Sequence, residues 1–424
     1  MPMDSLKQVS KLASLRDNLN LGRVIFKIAA AWNATDPAFR YPFLILITMR
    51  VSFSLIGAIA LYQFPLYHVT YYHGVQPIPP GIVNYLLGVW QRADTIWYIK
   101  IAKQGYAKGD GTTVFFPLYP LLTRLVGYAT HGNYLLAGIV VSNLAFFFAL
   151  VYLYKLAELE FNSEVAFHTL IFLSVFPTAF FLLAAYTESP FLLFAVSAFY
   201  YARKGKWLPA SIAGLLAALT KQLGLLLFLP LLYEYLAERD FKLHLIRWSI
   251  LLLLFIPLGM FVFLLFRHLC VGEAFLLTET YRTQWGVHAS WPWNNIFDSL
   301  MAILDTERFP PLSPEDTHSR RIFYNSVALA SVGLFVPLSF ISLRRLRLSY
   351  SLYMFSVLSV VLSQDFRPPY PILALPRYVL VLFPGFMLLA SLMKSRTLRW
   401  VVWYFSAMLL SLFTAMFATW RIPA

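Results

Sequence analysis

Residues 246–270 read IRWSILLLLFIPLGMFVFLLFRHLC, a run in which apolar side chains follow one another with few breaks. The hydrocarbon core of a bilayer is about 30 Å thick, and a helix needs about 20 predominantly apolar residues to cross it. The stretch is long enough to meet that requirement. It therefore predicts a membrane-spanning helix.

Ten further apolar stretches follow the same pattern, although several are shorter than a full span. Short segments are tolerated inside a helix bundle, and closely spaced pairs can form helical hairpins or broken helices. Together with residues 246–270 they predict one all-α domain, residues 41–424, folded as a multi-pass transmembrane bundle of about 11 spans. The other ten candidates are residues 41–64, 134–154, 165–187, 189–202, 208–222, 223–236, 322–342, 349–362, 376–393 and 400–420.

The composition supports this fold class. Hydrophobic residues make up 59% of the 424 positions and charged residues 13%, whereas a soluble domain is about 45–50% apolar and about 25% charged. The net charge of +14 suits cytoplasmic loops and anionic lipid head groups, and no basic stripe with interleaved aromatic residues predicts nucleic-acid binding. A single cysteine, Cys270, excludes a disulfide framework. Membrane lipids, rather than nucleic acid, are the expected partners.

The orientation is predicted from basic residues, because short loops rich in Lys and Arg lie on the cytoplasmic side of a membrane. Residues 1–40 form either an amphipathic helix on the inner membrane surface or a solvated basic tail. The side that carries the basic segments is predicted to be the cytoplasm, so the N-terminus is expected there. These segments are residues 1–40, 203–206, 239–247, 344–347 and 394–399.

Three polar segments then fall on the outer side, residues 65–115, 271–321 and 363–375. Loops of this length are more often functional than idle connectors. Within the first, residues 84–106 place apolar side chains among polar ones in the pattern of a helix lying along the membrane interface. Residues 115–122, FFPLYPLL, form a proline-interrupted apolar stretch that is too short to cross and is expected to dip in from outside.

Five ionisable residues lie in or near the apolar layer: Arg50, Asp94, Glu188, Lys221 and Arg377. Charges in that position are costly, so each is a candidate functional residue with a partner to be found. Asp94 stands among aromatic residues and could take a proton from a sugar hydroxyl. Arg377 could hold a phosphate, because guanidinium binds phosphate oxygens in bidentate fashion.

Each candidate also has a structural interpretation. Asp94 could be a solvated residue of an interfacial helix or pair with Arg92 or Lys100. Glu188 could be a second acid of the site or a helix-end charge that meets water. Arg50 and Lys221 could neutralise Glu188 or hold an anion, and Arg377 could extend to the lipid head groups.

Metal and cofactor chemistry is not predicted. The eight histidines are scattered, and none forms a pair with metal-ligand spacing on a helix. The sequence also contains neither a phosphate-cradling Gly-rich loop nor a nucleophile elbow.

Seven sequence blocks stand out when they are taken in order: DTIWYIKIAKQGY at 94–106, FFPLYP at 115–120, FPTAFF at 176–181, YTES at 186–189, LTKQLG at 219–224, PRY at 376–378 and FP at 383–384. Together they resemble the GPI second-mannose mannosyltransferase family, and most strongly its prokaryotic relatives. The resemblance runs from about residue 84 to residue 390, and the order and spacing of the blocks carry it.

The resemblance implies the GT-C architecture, with about ten membrane helices, a luminal or periplasmic active site and a polyprenyl-phosphate sugar donor. In that family an acid of the first outer loop is the expected base, which corresponds to Asp94. Two positions depart from the family pattern. Ala93 stands where the family usually has Trp, and Lys221 stands where it often has Arg, which keeps the charge but loses bidentate phosphate binding.

The sequence therefore predicts an inverting transferase that moves a mannosyl or similar hexosyl group from polyprenyl phosphate to a hydroxyl of a glycan or glycolipid acceptor. Asp94 is the predicted base, Arg377 and Lys221 stabilise the departing phosphate, and Glu188 orients the sugar or a basic neighbour. A prokaryotic plasma membrane, with the site outside, is expected. The other predicted substrate-binding residues are Trp90, Arg92, Trp97, Tyr98, Tyr119, Gln222 and Tyr378.

Two other functions remain open at this point. A transporter or flippase for a lipid-linked or polar solute could use the same charges as a gating network. A non-catalytic assembly subunit is compatible with Ala93. The sugar-transferring enzyme is preferred because the resemblance covers most of the chain.

Overall fold

The computed structural model describes residues 32, 34–64, 81–305, 307–309, 317–366 and 368–421. Nearly all of the predicted N-terminal segment 1–40, and residues 65–80 of the first predicted outer loop, lie outside the described residues. The described chain is almost entirely helical, and its only strands are β1 (His288–Ala289) and β2 (Gln364–Asp365), which pair antiparallel. The prediction of an all-α fold is confirmed.

Seventeen α-helices occur in the described chain. They are α1 (Pro37–Gln63), α2 (Ile82–Leu86), α3 (Asp94–Gln104), α4 (Leu118–Ala129), α5 (Tyr134–Glu160), α6 (Ser163–Ser174), α7 (Glu188–Arg203), α8 (Trp207–Thr220), α9 (Phe228–Ala237), α10 (Phe255–Phe266), α11 (Leu277–Thr280), α12 (Pro292–Leu304), α13 (His318–Arg345), α14 (Leu348–Leu362), α15 (Leu375–Tyr378), α16 (Phe383–Leu392) and α17 (Arg396–Ala418).

Short turns of tighter or wider helix extend or connect these elements. The 3₁₀ turns are Gly88–Trp90, Thr112–Val114, Ala179–Leu182, Gln222–Leu227, Leu243–Leu245, Trp248–Leu254 and Val379–Val381, and the π turns are Arg267–Val271 and Tyr281–Trp285.

Each of the eleven candidate spans contains a helix, but only five helices of the described chain have the length and hydropathy needed to cross a bilayer. Four are α1, α5, α13 and α17, and the fifth is the continuous stretch Trp248–Val271 that contains α10. The bent pair Leu375–Val381 and Phe383–Leu392, with a 75° angle between its parts, adds a sixth if it is one span. The prediction of about 11 full spans is therefore not confirmed, because the other candidates are shorter helices.

Helix α5 lies at the centre of the bundle and contacts α1, α4, α6 and α7. Most of its apolar residues are buried, whereas Leu144 and Phe148 are exposed, so part of its surface is not covered by protein. Small residues allow its neighbours to approach closely. A Cβ atom added at Gly138 would lie 3.0 Å from the Tyr119 hydroxyl and 3.1 Å from the Ala185 Cβ atom.

The predicted interfacial stretch 84–106 is not one helix. It is divided into α2, the turn Gly88–Trp90 and α3, and the chain changes direction at Ala93, whose φ angle is +45°. Helix α3 packs against α4 and α5 and buries six of its residues. The following prolines do not interrupt a helix either, because Pro120 lies in the first turn of α4, where its missing N–H costs nothing.

A buried ionic network joins helices α5, α7, α9 and α14. It lies at the C-terminal end of α7, whose last residue is Arg203. Arg203 lies 2.5 Å from Glu160 Oε1 and 3.1 Å from Glu234 Oε1. Arg347 also contacts Glu234, and Ser349 donates to its other oxygen at 2.7 Å. Two predicted cytoplasmic basic segments, 203–206 and 344–347, therefore lie together at this end.

We expect Glu234→Gln to lower the free energy of unfolding by about 3 kcal/mol, because it removes a buried negative partner from Arg203. Glu164→Gln is the matched control, since the Glu164 side chain is 69% exposed and exposed charges contribute little. Thermal unfolding in detergent measures both. Equal changes in the two variants would contradict the stabilising role of the network.

Candidate active site

Four of the five predicted ionisable residues meet in one cluster. Arg377 Nη1 lies 2.5 Å from Asp94 Oδ2, and Arg377 Nε lies 3.2 Å from Glu188 Oε1. Lys221 Nζ donates to the same Glu188 oxygen at 2.7 Å. Asp94 and Arg377 are 283 positions apart in the sequence, and Glu188 and Lys221 are 33 positions apart. Only the tertiary structure therefore brings these pairs together.

Each member occupies the end or the break of a helix. Asp94 and Glu188 are the first residues of α3 and α7, where the positive end of the helix dipole favours a carboxylate. Lys221 follows α8 in an extended conformation, at φ −159° and ψ 147°. Arg377 lies in α15, the short part of the bent pair. Because the four residues stand at helix ends or at a helix break, their side chains can meet at one place between the helices.

The cluster is largely closed to solvent. Side-chain exposure is 15% for Asp94, 1% for Glu188, 10% for Lys221 and 11% for Arg377. Two carboxylates and two cations give a formal charge of zero, and such compensation is what makes buried charges tolerable. Glu188 Oε2 has no hydrogen-bond partner within the described chain. The contact of Arg377 Nε with Glu188 is ionic, since its geometry is not that of a hydrogen bond.

The cluster borders a cavity of about 160 Å³. Asp94, Lys221 and Arg377 line it, together with predicted substrate-binding residues Tyr98, Gln222 and Tyr378. Lys221 Nζ also lies 4.1 Å from the centroid of the Tyr378 ring. Six of the residues predicted from sequence thus surround one space.

Three cavity residues come from the second predicted outer loop and were missed by sequence reasoning: Tyr281, Trp285 and Val287. Gln364 and Phe366 are contributed by the third. The only sequence feature that could have indicated them is the presence of aromatic residues in the long polar segment 271–321. No local pattern shows which of them turn towards the cluster.

Tyr98 forms an aromatic wall of the cavity. Its ring lies edge-on to Phe115 at 5.1 Å and to Tyr119 at 4.9 Å, and its hydroxyl is 3.1 Å from Thr187 Oγ1. Burial raises the pKa of Tyr98 well above its ordinary value, and the nearby Asp94 and Glu188 charges raise it further. Tyr98 is therefore a neutral hydroxyl at neutral pH, suited to hydrogen bonding rather than to acid–base work.

Other predicted substrate-binding residues lie outside the cavity. Trp90 is 1% exposed and packs against Phe417. Arg92 donates to the carbonyl oxygens of Ala418 and Gly88. The substrate-contact role predicted for Trp90 and Arg92 does not fit these positions, because neither residue lines the cavity and both are held by other contacts.

Two more predicted wall residues support the cavity from behind. Tyr119 is fully buried and hydrogen-bonded to the Gly138 carbonyl oxygen at 3.0 Å, behind Tyr98. Trp97 stacks on Phe115 at 5.9 Å and contacts Trp285. Both therefore hold lining residues in place instead of facing the cavity.

The structural alternatives for the charged residues are also resolved. Arg50 donates to the Leu183 carbonyl oxygen and lies over the Trp90 ring at 4.8 Å, so Lys221, not Arg50, neutralises Glu188. Lys100 pairs with Asp110 at 2.8 Å rather than with Asp94.

Hydrogen bonds join the second predicted outer loop to the first, and we call this set of contacts the clasp. Glu273 Oε1 accepts from the Gly109 N–H at 2.6 Å, and Gln284 accepts from the Gly111 N–H at 2.9 Å. Trp285 Nε1 donates back to the Gly111 carbonyl oxygen at 3.1 Å. A Cβ atom at Gly111 would lie 3.3 Å from Trp285 Nε1, and the φ angle of +81° also favours glycine there. This clasp holds Trp285 at the cavity.

Two larger cavities flank the cluster. One, of about 460 Å³, is lined mostly by apolar residues, among them Ile101 of α3, Leu121 of α4 and Phe263 of α10, and Arg124 is its charged member. The other, of about 690 Å³, has nine polar or charged residues among the twelve that line it, such as Thr278, Arg282 and Ser363. The site can therefore accept an anion at its cations and a proton at Asp94, with apolar space on one side and polar space on the other.

The model of the family described as Mannosyltransferase (PIG-V) matches residues 78–291 of this chain. The matched region is about half of the chain and contains Asp94, Glu188 and Lys221. Arg377 lies beyond it. No curated protein sequence matches significantly.

Two solved structures are similar in part. ArnT from Cupriavidus metallidurans bound to undecaprenyl phosphate has 16% identity and a TM-score of 0.48, over 85% of this chain and 62% of its own. An Archaeoglobus fulgidus oligosaccharyltransferase tethered with an acceptor peptide has 11% identity and a TM-score of 0.41, over 89% of this chain and 55% of its own. The chain thus spans less than two thirds of the length of either protein.

We expect Ala93→Gly to stabilise the protein by about 1 kcal/mol, because a positive φ angle strains every residue except glycine. Ala102→Gly is the matched control inside α3, where glycine should destabilise by about 1 kcal/mol. Thermal unfolding in detergent measures the two shifts. Destabilisation by both substitutions would contradict strain at Ala93.

Proposed function

Because this chain belongs to the mannosyltransferase (PIG-V) family, we propose that it transfers a mannosyl or similar hexosyl group from a polyprenyl phosphate to an acceptor hydroxyl. The observation that carries this proposal is the convergence of Asp94, Lys221 and Arg377 on one cavity. A base and two cations within one partly dry space are what such a transfer requires. No metal or cofactor is part of the proposed reaction.

The cations suit the phosphate of the donor. Lys221 uses one of its three N–H donors for Glu188. Arg377 contacts Asp94 through Nη1 and Glu188 through Nε. Further N–H groups of both side chains remain to donate to phosphate oxygens. Fixed cations in a site of low dielectric stabilise developing phosphate charge more strongly than they would in water.

The apolar cavity suits the prenyl chain of the donor. Leu219 lines that cavity. The two residues that follow it, Thr220 and Lys221, line the cavity of about 160 Å³ beside the ionic cluster, which we call the reaction cavity. On the other wall, Phe116 lines the reaction cavity and Pro117 the apolar one. We propose that the lipid phosphate passes these adjacent residues to reach Lys221 while its hydrocarbon chain stays in the apolar cavity.

The proposed step is a single displacement with inversion at the anomeric carbon. The acceptor O–H bond breaks and its proton passes to Asp94, while the acceptor oxygen forms a bond to the anomeric carbon. The bond from that carbon to the phosphate oxygen breaks, and its electron pair stays on the phosphate. Asp94 loses its negative charge when it takes the proton, and the phosphate gains a second negative charge when its bond to the sugar breaks. The net charge of the site is therefore unchanged.

The proposed location is a prokaryotic plasma membrane, with the reaction on its non-cytoplasmic face. Helix α7 supports this orientation, since it begins at Glu188 in the ionic cluster and ends at Arg203 in the basic network. Its 16 residues correspond to a separation of about 24 Å along the helix axis. The reaction site and two predicted cytoplasmic segments therefore lie at opposite ends of one helix.

We expect Asp94→Asn to reduce sugar transfer at least about 10²-fold, the usual contribution of a general base, while donor binding persists. Purified protein in liposomes would receive radiolabelled mannosyl phosphoryl polyprenol and n-octyl α-mannoside, and the labelled product would be counted. Asp298→Asn is the control, because that carboxylate pairs with Arg308 outside the cavity. Full transfer by Asp94→Asn would contradict its role, and donor movement across the bilayer without a product would favour a flippase.

We expect Lys221→Met to weaken donor binding about tenfold or more, because it removes a cation from the site and leaves Glu188 with Arg377 alone. Lys221→Arg should retain most of the binding, since it keeps the charge and adds bidentate geometry. Binding of the same radiolabelled donor to detergent-solubilised protein measures both. Equal losses in the two variants would show that the charge of Lys221 does not hold the phosphate.

A further inference from the structure

The polar cavity of about 690 Å³ opens onto the reaction cavity. The two share four lining residues, Gln222, Tyr281, Val287 and Gln364. The name acceptor vestibule is used here for this larger cavity. Its volume falls in the range of about 300–1,000 Å³ that is typical of small-molecule sites.

The acceptor vestibule differs from the apolar cavity in the chemistry of its walls. Its lining includes Thr278, Glu279, Arg282, His288, Ser359 and Ser363. These side chains offer hydroxyl, carboxylate, guanidinium and imidazole groups, which together can donate to and accept from many hydroxyls. A prenyl chain would leave most of them without hydrogen bonds.

Several of these groups have no partner within the described part of the chain. Glu279 and Arg282 form no ion pair there, and both are exposed. Gln364 Oε1, on the wall common to both cavities, is buried and accepts no hydrogen bond there. A buried acceptor without a donor is costly, so a ligand hydroxyl at this junction would be stabilising.

The shared wall is fixed by main-chain pairing. His288 pairs with Asp365 and Ala289 with Gln364 in the β1–β2 ladder, and the Ser290 N–H donates to the Ser363 carbonyl oxygen at 2.9 Å. The second and third predicted outer loops therefore hold the side of the vestibule that meets the reaction cavity. A site with a fixed wall binds with less ordering cost.

We propose that the acceptor vestibule binds the hydroxyl-rich head group of the sugar acceptor and presents one of its hydroxyls to Asp94. This inference rests on the proposed function and assigns the two flanking cavities to different substrates. The donor takes the apolar cavity, because its chain is hydrocarbon and its phosphate needs Lys221. The acceptor takes the polar one, which reaches the same cavity past Gln222 and Gln364.

The test blocks the vestibule by chemical labelling. Ala289 lines it and is exposed, and Ala129, at the end of α4, is exposed and lines neither the vestibule nor the reaction cavity. Ala289→Cys and Ala129→Cys would each be made in a Cys270→Ser background, because Cys270 is the single native cysteine. A bulky methanethiosulfonate reagent would then label each variant, and dithiothreitol would remove the label.

Each variant is compared with itself before labelling, after labelling and after removal of the label. Labelled Ala289→Cys should lose transfer of radiolabelled mannose to n-octyl α-mannoside at least about tenfold, bind mannosyl phosphoryl polyprenol as before, and recover with dithiothreitol. Labelled Ala129→Cys should keep both properties. This result would support the assignment of the vestibule to the acceptor.

Two outcomes would overturn the inference, and a third would overturn the proposed function. Unchanged transfer by labelled Ala289→Cys would show that the acceptor enters elsewhere. Loss of donor binding together with transfer would assign the vestibule to the donor. An unlabelled Cys270→Ser protein that binds no donor and transfers no sugar would instead contradict the proposed function, on which the inference depends.

Discussion

A charge inside an apolar helix bundle is costly unless an opposite charge lies beside it. Arg377 meets this requirement at the centre of the structure, since it contacts both Asp94 and Glu188, and Lys221 completes the compensation. The four side chains belong to four separate elements. Those elements must pack together for any one of the charges to be stable, so the ionic cluster and the fold around it depend on each other.

The same compensation makes the cluster useful to chemistry. A zero formal charge allows it to stand beside a small, largely closed cavity, where electrostatic interactions are stronger than in water. In the proposed reaction, its two cations bind the donor phosphate, and Asp94 accepts a proton as that phosphate gains charge. The apolar and polar cavities give the proposed lipid and head-group substrates surroundings of matching polarity. The hydrogen bonds from Gly109 to Glu273 and from Gly111 to Gln284 join the first two predicted outer loops and keep Trp285 at the cavity beside the cluster.

Much of the fold follows from local properties of the sequence. Long apolar runs predict long helices, and all five helices of span length fall on predicted candidates. The number of spans does not follow, because hydropathy cannot distinguish a helix that crosses a bilayer from a shorter one buried by its neighbours, as with α8 and α14. The break at Ala93 was also missed, since alanine is an ordinary helix former and only packing of α3 imposes its positive φ angle.

The sequence by itself determined that the protein is an all-α bundle and identified Asp94, Glu188, Lys221 and Arg377 as candidates, because charges stand out where apolar residues are the rule. The tertiary structure alone decided which charges pair, that Trp90 and Arg92 do not line the cavity, and that Trp285 does. The physical reason is distance along the chain. Burial cost is a property of one residue and can be recognised locally, whereas a salt bridge or a cavity wall joins residues whose proximity arises only when the helices pack.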